Sequence, residues 1–140
     1  MNVKIIGEVL KEYYPTIKFD LRERDTDSAI ITAIIDNNQI SEQSICGLIL
    51  FKNDYLYIDF SILNNVIRDI ETYELINRFN EVTPIFKVVI SQDENGNDFI
   101  NLRVEKKYVN ADKEALCTIS YAIEELQKAS FVEFLNSLKK

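Results

Sequence analysis

The chain of 140 residues contains no histidine. That removes the side chain most used for proton transfer near neutral pH and the commonest metal ligand, and it weighs against an ordinary hydrolase. Its three glycines, Gly7, Gly47 and Gly96, are too dispersed to build a phosphate-cradling loop or a dinucleotide fingerprint. With only two prolines, no linker-like stretch divides the chain, and no internal repeat is visible. The two cysteines, Cys46 and Cys117, lie far apart in different predicted elements. They are expected as reduced thiols in or near the core, and neither has a histidine to activate it. The longest apolar runs, such as Leu48 to Phe51, fall far below the length that spans a bilayer. Met1-Asn2-Val3-Lys4 leads into an amphipathic pattern rather than a signal peptide, so the expected location is cytoplasmic.

What is present is an ordinary globular balance, 46% hydrophobic and 28% charged, in a length that makes one domain, residues 1–140, with a core of its own. Sixteen basic side chains against twenty-three acidic ones leave a net charge of −7. That charge opposes attraction to phosphate backbones and anionic lipid, so neither nucleic acid nor membrane is expected as a partner.

The architecture is read from periodicity. Val3, Ile6, Leu10 and Tyr13 mark one face of an opening helix that Pro15 ends, and Gly7 weakens that helix by about 1 kcal/mol relative to alanine. Ile17, Phe19 and Leu21 alternate with charged residues as a candidate edge strand, and Arg24 to Asp27 turns the chain. Ser28 to Asp36, nearly continuous in Ile and Ala, reads as a strand covered on both faces, broken at Asn37-Asn38. After a polar connection through Gln43, Ile45 to Lys52 and Tyr55 to Leu63 flank the tight link Asn53-Asp54. Leu56, Ile58 and Phe60 point one way, and Tyr55, Tyr57 and Asp59 the other.

From Arg68 to Leu138 the pattern is a short helix, a hairpin and a long helix. Asp69 can cap a helix running to about Asn80, with apolar spacing through Ile70, Tyr73, Leu75, Ile76 and Phe79. Pro84 then forces Thr83 into an extended conformation. Ile85 to Ser91 and Phe99 to Tyr108 make the hairpin, with Ile100, Leu102 and Val104 inward and Asn101, Arg103 and Glu105 toward water. Its turn, Asp93 to Asp98, alternates Asp93, Asn95 and Asn97. Gly96 stands in the wrong place for a calcium loop, and no bidentate glutamate follows. Asn110 can cap the last helix, whose stripe Leu116, Ile119, Ile123 and Leu126 slips near Ala129 and Ser130 before resuming at Phe131, Phe134, Leu135 and Leu138. A bend is expected there, and Ser130 to Glu133 has the capping-box form. Glu124-Glu125 reads as a solvated helix face.

The predicted fold class is α+β, a single domain in the order helix, three strands, helix, two strands, helix, with an antiparallel sheet carrying its helices on one side. This order resembles the fold of type III secretion chaperones and of the YbjN-like family of bacterial sensory transduction regulators. The residues that carry the likeness are Leu75-Ile76-Asn77-Arg78-Phe79-Asn80, a helix ending with two asparagines three apart, then the hairpin from Pro84 to Val104 and the segment from Ala129 to Leu135. Asn53-Asp54 departs from the family's glycine-rich hairpins. The resemblance implies a small acidic protein that binds other proteins, often as a dimer, without turning over a substrate.

The leading expectation is therefore a non-enzymatic protein-binding module, chaperone-like or regulatory, with no cofactor and no metal. Its partner is another protein or a second copy of itself, as in a homodimer. The candidate binding residues are Tyr55 and Tyr57, on a strand face, and Ile30 and Ile34, on an exposed edge. A plainer alternative is that helices cover the two tyrosines. A second functional class is an acidic immunity protein that inhibits a basic toxin. A third is a carboxylate-based enzyme or small-ligand binder, which a deep pocket with converging Asp or Glu would support.

Overall fold

Strict alternation of apolar residues makes the centre of this protein a sheet with one buried face. The computed structural model describes residues 2–23, 28–36, 44–83, 85–107 and 112–139. The expected turn at 24–27, the break at 37–38, the connection through 43, and Pro84, Tyr108 and Asn110 lie outside the described residues.

Among the described residues, α1 (Val3–Tyr13) precedes β1 (Lys18–Glu23), β2 (Ser28–Ile35), β3 (Ile45–Lys52) and β4 (Tyr55–Asn64). Then come α2 (Ile70–Val82), β5 (Lys87–Gln92), β6 (Asp98–Lys106), α3 (Asp112–Gln127) and α4 (Ala129–Leu138). The six strands form one sheet in the order β1-β2-β3-β4-β6-β5, with every neighbouring pair antiparallel. The helices pack on one side of it, so the expected α+β architecture is the observed one. The candidate edge strand at Ile17 to Leu21 is β1, which makes four strands, not three, before α2.

The covered face is built from alternate positions: Ile31, Ala33 and Ile35 on β2, Ile49 and Phe51 on β3, Leu56, Ile58 and Phe60 on β4, Val88 on β5, and Ile100, Leu102 and Val104 on β6. Ile6 and Leu10 of α1, Ile119, Ile123 and Leu126 of α3, and Phe131, Leu135 and Leu138 of α4 close over them. Tyr13 does not join this face. It is 74% exposed, and the buried stripe of α1 runs through Ile6, Gly7 and Leu10 instead. Likewise α2 buries Thr72 and Ile76 and packs Leu75 and Phe79 on the core, while Ile70 is 77% exposed and Tyr73 also faces out. Phe79 stacks on Phe134 at 4.7 Å and meets Phe131 at 5.6 Å, which ties α2 to α4.

The caps follow from short polar side chains. Asn2 accepts from the Ile5 N–H at 3.2 Å, and Asp69 from the Thr72 N–H at 2.8 Å. The Asn2 N–H donates to Asp112 at 2.7 Å, joining the starts of α1 and α3. The expected bend falls at Lys128, whose extended backbone (φ −69°, ψ 137°) separates α3 from α4. Its position corrects the capping-box reading. Lys128 is the cap, without a side-chain cap bond, and Ser130 lies inside the helix, because the bend comes one residue before Ala129. Glu125 is not a solvated acid either: it is buried, and its carboxylate meets Lys128 Nζ at 2.9 Å across that bend.

The end of α2 covers the β5 edge of the sheet at Val88. Asn80 Nδ2 donates to the Val88 carbonyl at 3.0 Å, and Asn80 Oδ1 accepts from the Val88 N–H at 2.8 Å. One amide side chain thus supplies the pair of hydrogen bonds that a neighbouring strand would have made. Lys87 Nζ donates to the Asn80 and Thr83 carbonyls at 2.8 and 3.1 Å, closing the helix terminus, and Thr83 is extended as expected (φ −118°, ψ 101°).

Two of the glycines have opposite consequences. Gly47 lies opposite Phe60 on the covered face, where a Cβ would stand 2.5 Å from Phe60 Cδ1 and Cε1. Phe60 is fully buried and cannot withdraw. In contrast, a Cβ on Gly7 would meet only Ile31 Cδ1, at 3.9 Å. Urea unfolding should therefore find Gly47→Ala destabilising by about 1–3 kcal/mol and Gly7→Ala stabilising by about 0.5–1 kcal/mol. Equal effects of the two substitutions would contradict this packing. Asn80→Ala should cost about 1–3 kcal/mol, because it strands the N–H and C=O of Val88. Asn80→Asp should not recover that loss, since a carboxylate cannot donate to the Val88 carbonyl.

Candidate interaction site on the uncovered sheet face

Since the helices take one face, the other shows what the remaining alternate positions carry. The register sets those side chains in rows across the strands. One row runs Arg22, Ile30, Leu50, Tyr57, Glu105; the next Asp20, Thr32, Leu48, Asp59, Arg103, Lys87; the third Lys18, Ile34, Cys46, Ser61, Asn101, Val89. Apolar groups occupy the middle of the face, on β2 and β3, with charged groups at both flanks. Ile34 is 43% exposed and Leu48 36%.

The tyrosines that sequence reasoning singled out lie on this face, half-buried, and the helices do not cover them. Ile30 and Ile34 share the face with Tyr57, but not as an edge. β2 is paired on both sides, with β1 and β3, so the expected edge at Ile30 to Ile34 is an interior strand. Nor is β2 covered on both faces along its length: Ile30 is buried, but Ile34 is open. The expected core thiols are also corrected. Cys46 projects from the uncovered face and Cys117 from the outer side of α3, both exposed and free.

Beside the apolar centre stands a polar cluster around Asp59. Its Oδ1 accepts from Asn101 Nδ2 at 2.7 Å, and its Oδ2 from Tyr57 Oη at 3.0 Å and Arg103 Nε at 3.2 Å. Arg103 Nη2 reaches Ser91 Oγ at 3.3 Å. Asn101, expected in water, is only 3% exposed, with its amide turned to Asp59. Sequence reasoning missed Leu48, Leu50, Asp59, Asn101 and Arg103 as members of one surface. The signal was available: a two-residue link at Asn53-Asp54 sets Leu48 opposite Asp59 and Leu50 opposite Tyr57.

No model of a known protein family matches the chain, and no curated protein matches it in sequence. The site is read from its own chemistry alone.

The Asp59 cluster holds its proton donors tightly. Burial, reinforced by the Asp59 carboxylate, pushes the Tyr57 phenol up to about 12. A phenol so raised stays protonated and serves as a donor, not as a base. In the hairpin turn, the Asp93 carboxylate accepts from the Asn95 and Asn97 N–H groups, both at 2.9 Å, and the Asn97 amide chiefly holds its pKa below the ordinary value. Gly96 adopts φ +79°, and Asp93 N–H bonds the Asn97 carbonyl at 2.9 Å. That carboxylate works as the turn's internal acceptor.

A separate cleft of about 720 Å³ opens between α3 and the end of β6, bordered by Ile85, Cys117, Thr118 and Tyr121. Three of its polar groups bond one another: Lys106 pairs with Glu114 at 3.1 Å, and Thr118 Oγ1 donates to the Glu114 carbonyl at 3.0 Å. Cys117 has no imidazole anywhere in the chain to deprotonate it.

Spectrophotometric titration of the seven tyrosines tests the cluster. Tyr57 should belong to the late-ionising group near pH 12, Tyr57→Phe should remove one phenol from that group, and Asp59→Asn should bring the transition down toward the ordinary value. The sign for stability follows from the raised folded value. The unfolded phenol loses its proton near pH 10 while the folded one keeps it, so Tyr57 lowers stability as pH rises from about 10 to about 12 and has no effect below. An unchanged alkaline stability slope in Tyr57→Phe would contradict this.

Proposed function

We propose that the chain is a non-enzymatic protein-binding module, chaperone-like or regulatory, which receives an apolar segment of a partner protein on the uncovered sheet face. The observation that carries the reading is the row placement of Ile34, Leu48 and Tyr57. Ile34 and Leu48 form a partly exposed apolar centre, and Tyr57, Arg103 and Asp59 stand fixed beside it on the paired strands. Aromatic and arginine side chains at the margin of an apolar centre are the composition of an interface anchor. The YbjN-like and secretion-chaperone resemblance points the same way.

The immunity-protein reading needs acids gathered into one patch that steers a basic toxin. Here four acids are paired locally: Asp59 with Arg103, Asp98 with Arg68, Glu114 with Lys106, Glu125 with Lys128. That distribution favours the apolar face over an acidic one.

Parallel affinity captures from the source lysate, with the native chain and with Leu48→Lys and Ile34→Lys, test the proposal. Both positions are exposed, so the variants should melt like the native chain. A stoichiometric protein retained by the native chain should bind the variants at least about tenfold more weakly, as expected for loss of an apolar anchor. A partner that both variants retain equally would overturn the sheet-face reading.

A further inference from the structure

The two ends of the sheet are treated differently. At the β5 edge the Asn80 amide takes both backbone groups of Val88, whereas among the described residues no hydrogen bond reaches β1 from any element except β2. An unsealed edge strand offers its free backbone groups to another extended strand.

From this we infer that the β1 edge pairs antiparallel with the β1 edge of a second copy of the chain, with Phe19 opposite Phe19 at the two-fold axis. Three properties of the strand select that occupant and register. On the uncovered face β1 carries Lys18, Asp20 and Arg22, all exposed. With Phe19 at the axis, Lys18 of each copy faces Asp20 of the other, so one strand supplies two opposite-charge cross-strand pairs. Shifting the axis to Asp20 would set Asp20 against Asp20 and Lys18 against Arg22. On the covered face, Ile17 and Phe19 are buried but Leu21 is only half-buried. The same register lays Leu21 beside Ile17 of the second copy, covering its open side.

The net charge of −7 does not oppose this locally. It is spread over the whole surface and screened over about 8 Å at physiological salt, whereas directly opposed side chains sit within about 5 Å of each other. Pairing would fuse the two sheets into one and bring two uncovered faces side by side. It stands on the edge geometry, independent of what binds those faces.

Sedimentation equilibrium of the full 16.3 kDa chain at physiological salt tests it. The native chain should sediment as a dimer. Lys18→Asp and Asp20→Lys should each raise its dissociation constant by about tenfold, because two attractive pairs become two repulsive ones. The double variant K18D/D20K, which exchanges the charges, should restore the dimer. Leu48→Lys, on the sheet face, should leave it intact. A native chain monomeric up to about 100 μM, single variants that dimerise normally, a double variant that fails to recover, or a dimer lost with Leu48→Lys would each overturn the β1 pairing. Only the last would also move the interface to the sheet face.

Discussion

One-sided cover is the constraint on which the rest of this structure depends. A six-stranded antiparallel sheet has two faces, and α1 to α4 close only one of them. The pleat then divides every strand's residues into a packed set and an open set. The packed set tolerates no excess volume: Phe60 fits because Gly47, its cross-strand neighbour, has no side chain. The open set is free to vary, and what it carries is informative because packing did not choose it. Ile34 and Leu48 leave a substantial part of their apolar surface in water, where a polar residue would serve solubility better. The Asp59 cluster next to them is half-withdrawn from water, which fixes Tyr57 and Arg103 in place without covering them.

How much of this was legible in the sequence follows from how local each feature is. Period-two alternation and the turn formers at Asn53-Asp54 and Asp93 to Asp98 are local, so the strand pairs, the facing of Leu56, Ile58 and Phe60, and the fold class could be read directly. Helix caps such as Asp69 are equally local. The place of β2 within the sheet is not. Its Ile-rich run looks the same at an edge or inside, and only the pairing of β1 settles that Ile30 and Ile34 belong to a face. The misplaced Tyr13, Ile70 and cysteines share another cause. An apolar residue at helical spacing is compatible with the core, but the width of the stripe that a neighbouring element covers is a tertiary fact. Glu125 shows the converse, a charge drawn inside because the α3 to α4 bend brings Lys128 to it.

The acidic composition gains a different meaning once its side chains are placed. A surplus of carboxylates suggests either an anionic surface or chemistry, yet several of them act as fasteners. Asp69 and Asp112 serve helix starts, Asp93 holds a turn, Asp98 anchors Arg68, and Asp59 organises the uncovered face. The phenol beside Asp59 is held protonated. These groups set shape, and shape is what a binding surface requires.

The placement of Asn80 explains why α2 ends as it does. The last turn of α2 delivers one amide to the backbone of Val88 and one carbonyl to Lys87, so helix termination and edge protection are a single event. Among the described residues β1 has no counterpart: α1 leads into it through Tyr14 to Ile17 and contributes apolar cover from Ile6 and Leu10, but no side chain of α1 bonds to the edge. A strand that joined the sheet there would meet Lys18, Asp20 and Arg22 first, and the alternating charge of those three residues would decide which strands can stay.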